Sequence, residues 1–359
     1  MVTLAKSLAE LGHEVHVATF VGGGQLESEL SSNANVALHN LEKPGIVGKI
    51  TGLLTLRNLI RWNQYDVVYG FLPIPNLSLL VARTVRRRPV IAWGVRSSGI
   101  DLDHYGLKVK WAMLLERKLS RLPDVVITNS QTALEEYRMA GYPVAKLTHI
   151  PNAIDTKRFR ANPNVRASIR TELGIPQDST VIGIFARIHP MKDHATFLRA
   201  AALFSEVHPS AIFVIAGDSS PGYTALESYI KNLASQLSVS ERVHWLGARN
   251  DPEKLMLACD VTTLTSNSGE GFPNSVAESM ACGVPCVVTD VGDAAEITAG
   301  FTKVVQPNDP DGLADAWREA VQHVRNNGQT FAGNISDSIS DRFSIAEIAQ
   351  RTADQFLDR

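Results

Sequence analysis

The chain has 359 residues, 44% of them hydrophobic and 20% charged, with a formal net charge of −2. That length suits two ordinary domains with separate cores, and the near-neutral balance gives no global attraction to nucleic acid or to anionic membranes, so any cationic site is local. Three cysteines without a spaced framework indicate reduced thiols, and no membrane-length apolar run or signal peptide is visible, which together predict a cytoplasmic protein.

The chain opens in a helical pattern over residues 1–11. Strand candidates follow at 14–20, 66–70, 89–93, 124–129, 181–186, 211–216, 260–265 and 285–289. They are rich in Val and Ile and apolar on both faces, as strands covered on both sides must be. Between them lie helical patterns such as 195–207 and 311–324. Regular strand–helix alternation predicts parallel sheets with helices on both faces. The segment PNAIDTKRFRANPN, starting at Pro151, reads as a linker between two such domains. The expected division is 1–155, 156–340 and a final helical segment 341–359, with spacing that would let it pack back on the first domain. In open parallel sheets ligands bind beyond the carboxyl ends of the strands, so a site is expected there, in a cleft between the domains.

Two strand-end segments carry candidate chemistry. After the strand at 181–186 come Arg187 and Lys192, then a helix capped by Asp193. Two fixed cations on one loop suit a diphosphate, and stabilise it if it leaves; the plainer reading is a pair of solvated loop cations. Residues 266–278 read SNSGEGFPNSVAE. Glu278 falls on the first turn of a helix, where Ser275-x-x-Glu278 also matches a capping box, so taken by itself it reads as a helix cap before it reads as a ligand contact. Glu270 stands between two glycines, where no helix needs a cap and a ligand can approach the backbone. A carboxylate there can accept from sugar hydroxyls. The amides of Gly271, Phe272, Asn274 and Ser275 add donors at the helix N-terminus, whereas Pro273 has none. Cys282 and Cys286 lack ligand partners at metal spacing and read as apolar packing.

In combination these motifs are specific. Arg187-x4-Lys192, Ile215-Ala-Gly-Asp218 and the run from Glu270 through Glu278 to Pro285 resemble the donor half of glycosyltransferase family 4, and Pro151-Asn-Ala-Ile-Asp155 resembles that family's linker motif. The resemblance implies a GT-B fold, two doubly wound Rossmann-like α/β domains facing across a cleft. It implies a retaining hexosyl or N-acetylhexosaminyl transfer from a nucleotide diphosphate sugar to a sugar or lipid-linked acceptor, in surface polysaccharide or glycoconjugate synthesis, with no metal or other cofactor. Glu278 would bind the ribose and Glu270 the hexose, while Arg187 and Lys192 hold the departing diphosphate. A leaving phosphate oxygen takes the acceptor proton, unlike the two-carboxylate chemistry of retaining glycosidases.

Two departures from the pattern stand out. Family members open with a strand and a glycine-rich loop ahead of the helix matching residues 1–11, and neither is present here. A misassigned start, a fragment or an impaired protein would each account for that. Where many relatives carry a histidine, this chain has Arg96 and Ser97, followed by Asp101 and His104, as acceptor-side candidates or as polar loop residues. Residues 43–62 and 107–121 mix apolar and basic side chains. They suit peripheral contact with an anionic membrane at its inner face, although core-packed helices with solvated cationic faces are the plainer reading. No nucleic-acid partner is expected. The alternatives to transfer are a GT-B nucleotide-sugar epimerase and a catalytically impaired nucleotide-sugar binder.

Overall fold

The computed structural model describes residues 1–22, 27, 30, 35–41, 45–96, 98–99, 106–220 and 222–357. They form two compact units, Met1–Ala153 with Ile345–Arg359, and Ile154–Ser344. Every strand pairing in both units is parallel.

The first unit begins with helix α1 (Val2–Glu10), then β1 (Val15–Thr19) paired with β2 (Val36–Asn40). After α2 (Gly45–Asn63) come β3 (Val67–Phe71), α3 (Pro73–Ser78), β4 (Val90–Val95), α4 (Leu107–Lys118), β5 (Val125–Thr128), α5 (Gln131–Met139) and β6 (Leu147–His149). Strands β3 to β6 make a second sheet in sequence order, separate from β1–β2. β4 shows how strand periodicity builds the core. Ile91, Trp93 and Val95 pack toward α2, while Ala92 joins Val125 and Ile127 on the other face, because successive side chains point to opposite sides. The closing helix α13 (Ile345–Leu357) completes that second face with Ile348 and Phe356, and also packs on α1.

The second unit starts with α6 (Pro163–Glu172) and holds one six-stranded sheet in the order β12-β11-β10-β7-β8-β9. These strands are β7 (Val181–Phe185), β8 (Ile212–Ala216), β9 (Val243–Gly247), β10 (Val261–Leu264), β11 (Cys286–Thr289) and β12 (Val304–Val305). The chain builds outward from β7 through β8 to β9, then returns to lay β10 on the other side of β7. Helices α7 (His194–Val207), α8 (Thr224–Gln236) and the first part of α12 (Pro310–Phe343) cover one face around Phe197, Phe204, Phe213 and Trp317. Each of these rings is fully buried and contributes roughly 2–3 kcal/mol of transfer free energy; Trp317 Nε1 donates to Thr263 Oγ1 at 2.9 Å, which satisfies its one polar atom. Helices α9 (Pro252–Ala258), α10 (Asn274–Ala281) and α11 (Ala294–Thr298) cover the other face with the last part of α12. The break within α12 falls at Gly328, with φ 46° and ψ −126°.

Candidate active site

The reversal of strand order between β7 and β10 sets the loops after those two strands side by side, the place where such sheets form a crevice. After β7 the chain passes through Arg187 into a 3-10 turn, Pro190–Lys192. Asp193 caps α7, its Oδ1 accepting from Thr196 N–H at 3.2 Å. The loop after β10 is tied to that turn. Asn267 N–H donates to Met191 O at 2.9 Å, and Thr265 Oγ1 donates to Lys192 O at 2.7 Å. Lys192 Nζ thereby reaches Glu270 Oε1 and forms an ion pair with it, and Ser266 Oγ donates to the same oxygen at 2.5 Å. Glu270 is only 7% exposed, so an ionised carboxylate there depends on these partners.

Two glycines permit this closeness. A Cβ on Gly217, where φ is 147°, would lie 2.1 Å from Ala186 O, so only glycine lets the β8 end approach the β7 loop. A Cβ on Gly292 would lie 2.6 Å from both Glu270 O and Gly271 O. Behind Lys192, the first residue of α7, His194, is buried, and burial pushes its pKa down to about 4 against the pull of the Ala186 backbone. It is a neutral imidazole in the ordinary pH range. Sequence spacing gave no hint of it.

Beside these loops lies a cavity of about 480 Å³, within the size range of small-molecule pockets. Its apolar wall is Phe185, Ala216, Pro252, Leu255 and Met256. Its polar groups are Arg187, Asp218, Ser219, Ser220, Arg249, Ser275 and Glu278. Arg249 is already neutralised by Asp251 and Glu172. Among the described residues no carboxylate lies within ion-pair distance of Arg187, which is exposed and open to an anion. Asp218 is fixed in the wall: its Oδ1 accepts from Ala248 N–H at 2.7 Å and its backbone O from Ile188 N–H at 2.8 Å.

Glu278 does not cap its helix. The N-cap of α10 is Pro273, with no side-chain cap hydrogen bond, and Glu278 is the fifth helical residue, two positions further in than a capping box at Ser275 would put it. Burial raises its pKa to about 7; nearby Arg158 pulls it down and Glu253 pushes it up. The capping-box explanation is thereby removed, and the carboxyl is left on the cavity wall.

Of the residues singled out from the sequence, Arg187, Ser275 and Glu278 line this cavity together. Lys192 and Glu270 pair with each other in the adjoining loops. Gly271 is held through its carbonyl, which accepts from Asp293 N–H at 3.0 Å. The Phe272 ring is buried edge-on to Phe343 with centroids 5.0 Å apart, so that side chain serves the core. Asn274 opens α10 and is exposed. In the first unit Arg96 is taken up internally, donating to Asn152 Oδ1 and to Tyr69 OH, each at 2.8 Å, and lying over the Phe71 ring. Ser97, Asp101 and His104 lie outside the described residues. The sequence reading missed Arg249 and the α9 wall because it did not find β9, the strand whose carboxyl end they follow. All three cysteines are buried, with thiols pushed up to about 12 by burial, and are inert packing groups. Among the described residues no group of three His, Cys, Asp or Glu side chains is placed to hold a metal ion.

Comparison with known proteins bears on both units. The family model for glycosyl transferases group 1 matches residues 165–331, and that for glycosyltransferase family 4 matches residues 1–158. The chain is 23% identical over 322 residues to the UDP-Gal:alpha-D-GlcNAc-diphosphoundecaprenol alpha-1,3-galactosyltransferase of Escherichia coli, covering 87% of this chain and 80% of that protein. It is 26% identical over 294 residues to a GDP-mannose-dependent monoacylated alpha-(1-6)-phosphatidylinositol monomannoside mannosyltransferase of Corynebacterium glutamicum, covering 73% and 74%. Its fold resembles that of Anabaena HepE in complex with UDP and glucose, with a TM-score of 0.84 at 22% identity over 100% of this chain and 95% of that one. Sucrose-phosphate synthase of Thermosynechococcus elongatus gives a TM-score of 0.80 at 18% identity, over 99% and 91%. With the GT-B fold on the page and the two family models running over both units, the chain belongs to glycosyltransferase family 4.

Proposed function

We propose that this glycosyltransferase binds a nucleotide diphosphate sugar in the cavity at the carboxyl ends of β7 and β8 and transfers its hexosyl or N-acetylhexosaminyl group with retention. The observation that carries the reading is the meeting of Arg187, Ser275 and Glu278 on one cavity wall, next to the Lys192–Glu270 pair. The apolar side formed by Pro252, Leu255 and Met256 suits a base, and Glu278 suits the paired hydroxyls of a ribose. Arg187 and the N-terminus of α10 suit the diphosphate. Glu270 accepts from sugar hydroxyls, and Lys192 neutralises charge that builds on the leaving diphosphate. The acceptor oxygen bonds to the anomeric carbon as the bond to the diphosphate oxygen breaks, and the acceptor proton passes to a phosphate oxygen. No further protein base is required.

The acceptor we propose is a saccharide carried on a lipid, as in the names of the Escherichia coli and Corynebacterium glutamicum relatives. No described helix is long and apolar enough to cross a membrane, so contact with the lipid would be peripheral. The solvent face of α4 supports this. Leu107 is 74% and Trp111 70% exposed, with Leu114 and Leu115 beside them and Lys108, Arg117 and Lys118 around them, while the inner face buries Ala112 and Glu116. This departs from the plainer sequence expectation, in which apolar residues face the core.

The test is to incubate the chain with a panel of nucleotide sugars, with and without saccharide acceptors, and follow nucleotide diphosphate release. Acceptor-dependent release that falls at least 100-fold in Glu270→Ala and Arg187→Ala, on the order of one lost transition-state contact, is the expected result. Isomerised sugar without release would assign epimerisation instead. Binding without turnover would leave a nucleotide-sugar binder.

A further inference from the structure

Away from the donor cavity, three side chains of the first unit bring nitrogen and oxygen atoms to one point. β1 and β2 run in register with His16 beside Ala37 and Ala18 beside His39. Side chains alternate along a strand, so His16 and His39 stand on the same face of this pair. The other face carries Val15, Val17, Val36 and Leu38, which pack with Ala5 and Ala9 of α1. Tyr65, in the turn between α2 and β3, meets the histidine face. His39 Nε2 lies 3.0 Å and Tyr65 Oη 2.5 Å from the same atom, His16 Nδ1.

Hydrogen bonds alone do not satisfy that meeting. The other ring nitrogen, His16 Nε2, lies 3.0 Å from Glu14 Oε1. An N–H donated to that carboxylate leaves Nδ1 with a single in-plane lone pair. One lone pair accepts one well-aligned hydrogen, so Tyr65 and His39 compete for it. Placing the proton on Nδ1 instead gives one hydrogen with two acceptors, and turns a lone pair toward Glu14. A metal ion removes the conflict, because it takes an electron pair from each of three ligands at once. Tetrahedral zinc, with bonds of about 2.0–2.1 Å, sets its ligand atoms roughly 3.3 Å apart. The two imidazole nitrogens are already near that spacing, and the Tyr65 oxygen reaches it by withdrawing about 1 Å.

The surroundings match such a site. Metal-bound histidines commonly donate their second N–H to a carboxylate, which fixes the tautomer and the ring orientation. Glu14 stands in that relation to His16. The His16 side chain is 14% exposed and that of Glu14 84%, so the ligand is sheltered while its outer partner faces water. Two imidazoles and a phenol oxygen suit zinc and its transition-metal neighbours, and suit magnesium or calcium poorly. Three protein ligands leave a fourth position for water. With a phenol as third donor, the set is distinct from the groupings of His, Cys, Asp and Glu that the described residues lack.

We propose that His16, His39 and Tyr65 ligate a structural zinc-class ion, with Glu14 holding the His16 ring from behind. The ion ties β1 to β2 and both to the turn that starts β3, so it joins the two sheets of the first unit. A two-stranded pair is marginal in water by itself, and an ion that binds only the folded pair stabilises it. The ion takes no part in sugar transfer, and the inference does not rest on the donor reading.

The experiment strips the full chain with a chelator and titrates it by calorimetry with zinc chloride, with magnesium chloride as the control. One zinc per chain is expected, and no binding of magnesium. Zinc at about one hundred times its Kd should raise the melting temperature by about 3 °C or more. His16→Gln and His39→Gln should each weaken zinc binding at least about 100-fold, and Tyr65→Phe and Glu14→Gln about tenfold. His323→Gln, at an exposed histidine of the second unit, should leave the titration unchanged. No zinc binding, or binding that survives both His16→Gln and His39→Gln, would overturn the site. Undiminished affinity in Tyr65→Phe would overturn the three-ligand set. Should the variants misfold, modification of the native chain with diethylpyrocarbonate decides. Zinc is expected to protect His16 and His39 and to leave His323 reactive, whereas equal modification with and without zinc overturns the proposal.

Discussion

Glu278 and Glu270 are two carboxyls eight residues apart that burial treats differently. Glu270 has Lys192 and Ser266 on one oxygen, so its charge is offset where it stands. Glu278 has only the charge of Arg158 to offset its own, and Arg158 is itself occupied by Glu253, so burial raises the Glu278 pKa to about 7. The linkage follows in sign. A carboxyl whose folded pKa lies above its unfolded value binds more protons when folded, so its stabilising effect is full below the unfolded value near 4.5 and is lost as pH rises toward 7. Glu278→Gln should therefore leave stability near pH 4.5 almost unchanged and raise it above pH 7, by about 1–3 kcal/mol after allowing for partial solvent exposure. If Glu278 holds the ribose as proposed, the same variant should weaken nucleotide binding roughly tenfold or more at pH 8, where an ionised carboxylate would accept hydrogen bonds from two hydroxyls. Denaturant melts across pH, paired with nucleotide titration, check both. A variant less stable than the native chain at pH 8 would refute this account of Glu278.

At the scale of elements, the site depends on loops whose shape is set by backbone contact. Gly292 shows this best, since an added Cβ meets two carbonyl oxygens that cannot swing away. Gly292→Ala should cost about 2–4 kcal/mol through overpacking and a left-handed backbone, and should cut turnover by shifting the Glu270 loop. Gly222→Ala is the control, with φ also positive at 87° but nothing within 4 Å of the new Cβ, and should cost only about 1 kcal/mol. Urea denaturation of the two variants separates contact from conformation. The sequence was readable at this scale wherever a strand is covered on both faces, as at β4, β5, β7, β8, β10 and β11. It was not readable for β2, β6, β9 and β12, all of which end a sheet. Edge strands are short and half-exposed, so the apolar run that betrays a central strand is missing; β6 spans three residues and β12 two. Within the site, the residues legible in advance were those held by turn glycines and helix starts. Arg249 was opaque because its place on the cavity wall comes from strands and helices distant in sequence.

The two units differ in how completely each sheet closes on itself. The second has one continuous sheet with a core on both faces, and its cavity is built from its own strand ends. In the first, β1 and β3 read in the sequence as interior strands, yet among the described residues each pairs along one edge, β1 with β2 and β3 with β4. The first unit also carries the surface least suited to water. On α4 the polar Glu116 is turned inward to accept from Asn76 Nδ2 at 2.6 Å, while Leu107, Trp111, Leu114 and Leu115 are turned out. With a net charge of −2, the whole chain is not drawn to acidic lipid, so any attraction must come from the local cations Lys108, Arg117, Lys118 and Arg121. Vesicles containing phosphatidylglycerol should then pellet the protein, and vesicles of phosphatidylcholine alone should pellet much less. Trp111→Glu should weaken the anionic-vesicle association roughly tenfold, by removing an apolar anchor and adding repulsion. Lys118→Glu should weaken it in low salt and matter little at 1 M salt, where the screening length is about 3 Å. Neither substitution touches the donor cavity of the other unit, so nucleotide diphosphate release with a soluble acceptor should be unaltered while release with a lipid-linked acceptor in vesicles declines. Equal pelleting on both lipids, or none on either, would rule out an electrostatic dock on α4, and a matched fall with both acceptors would trace the effect to damaged folding.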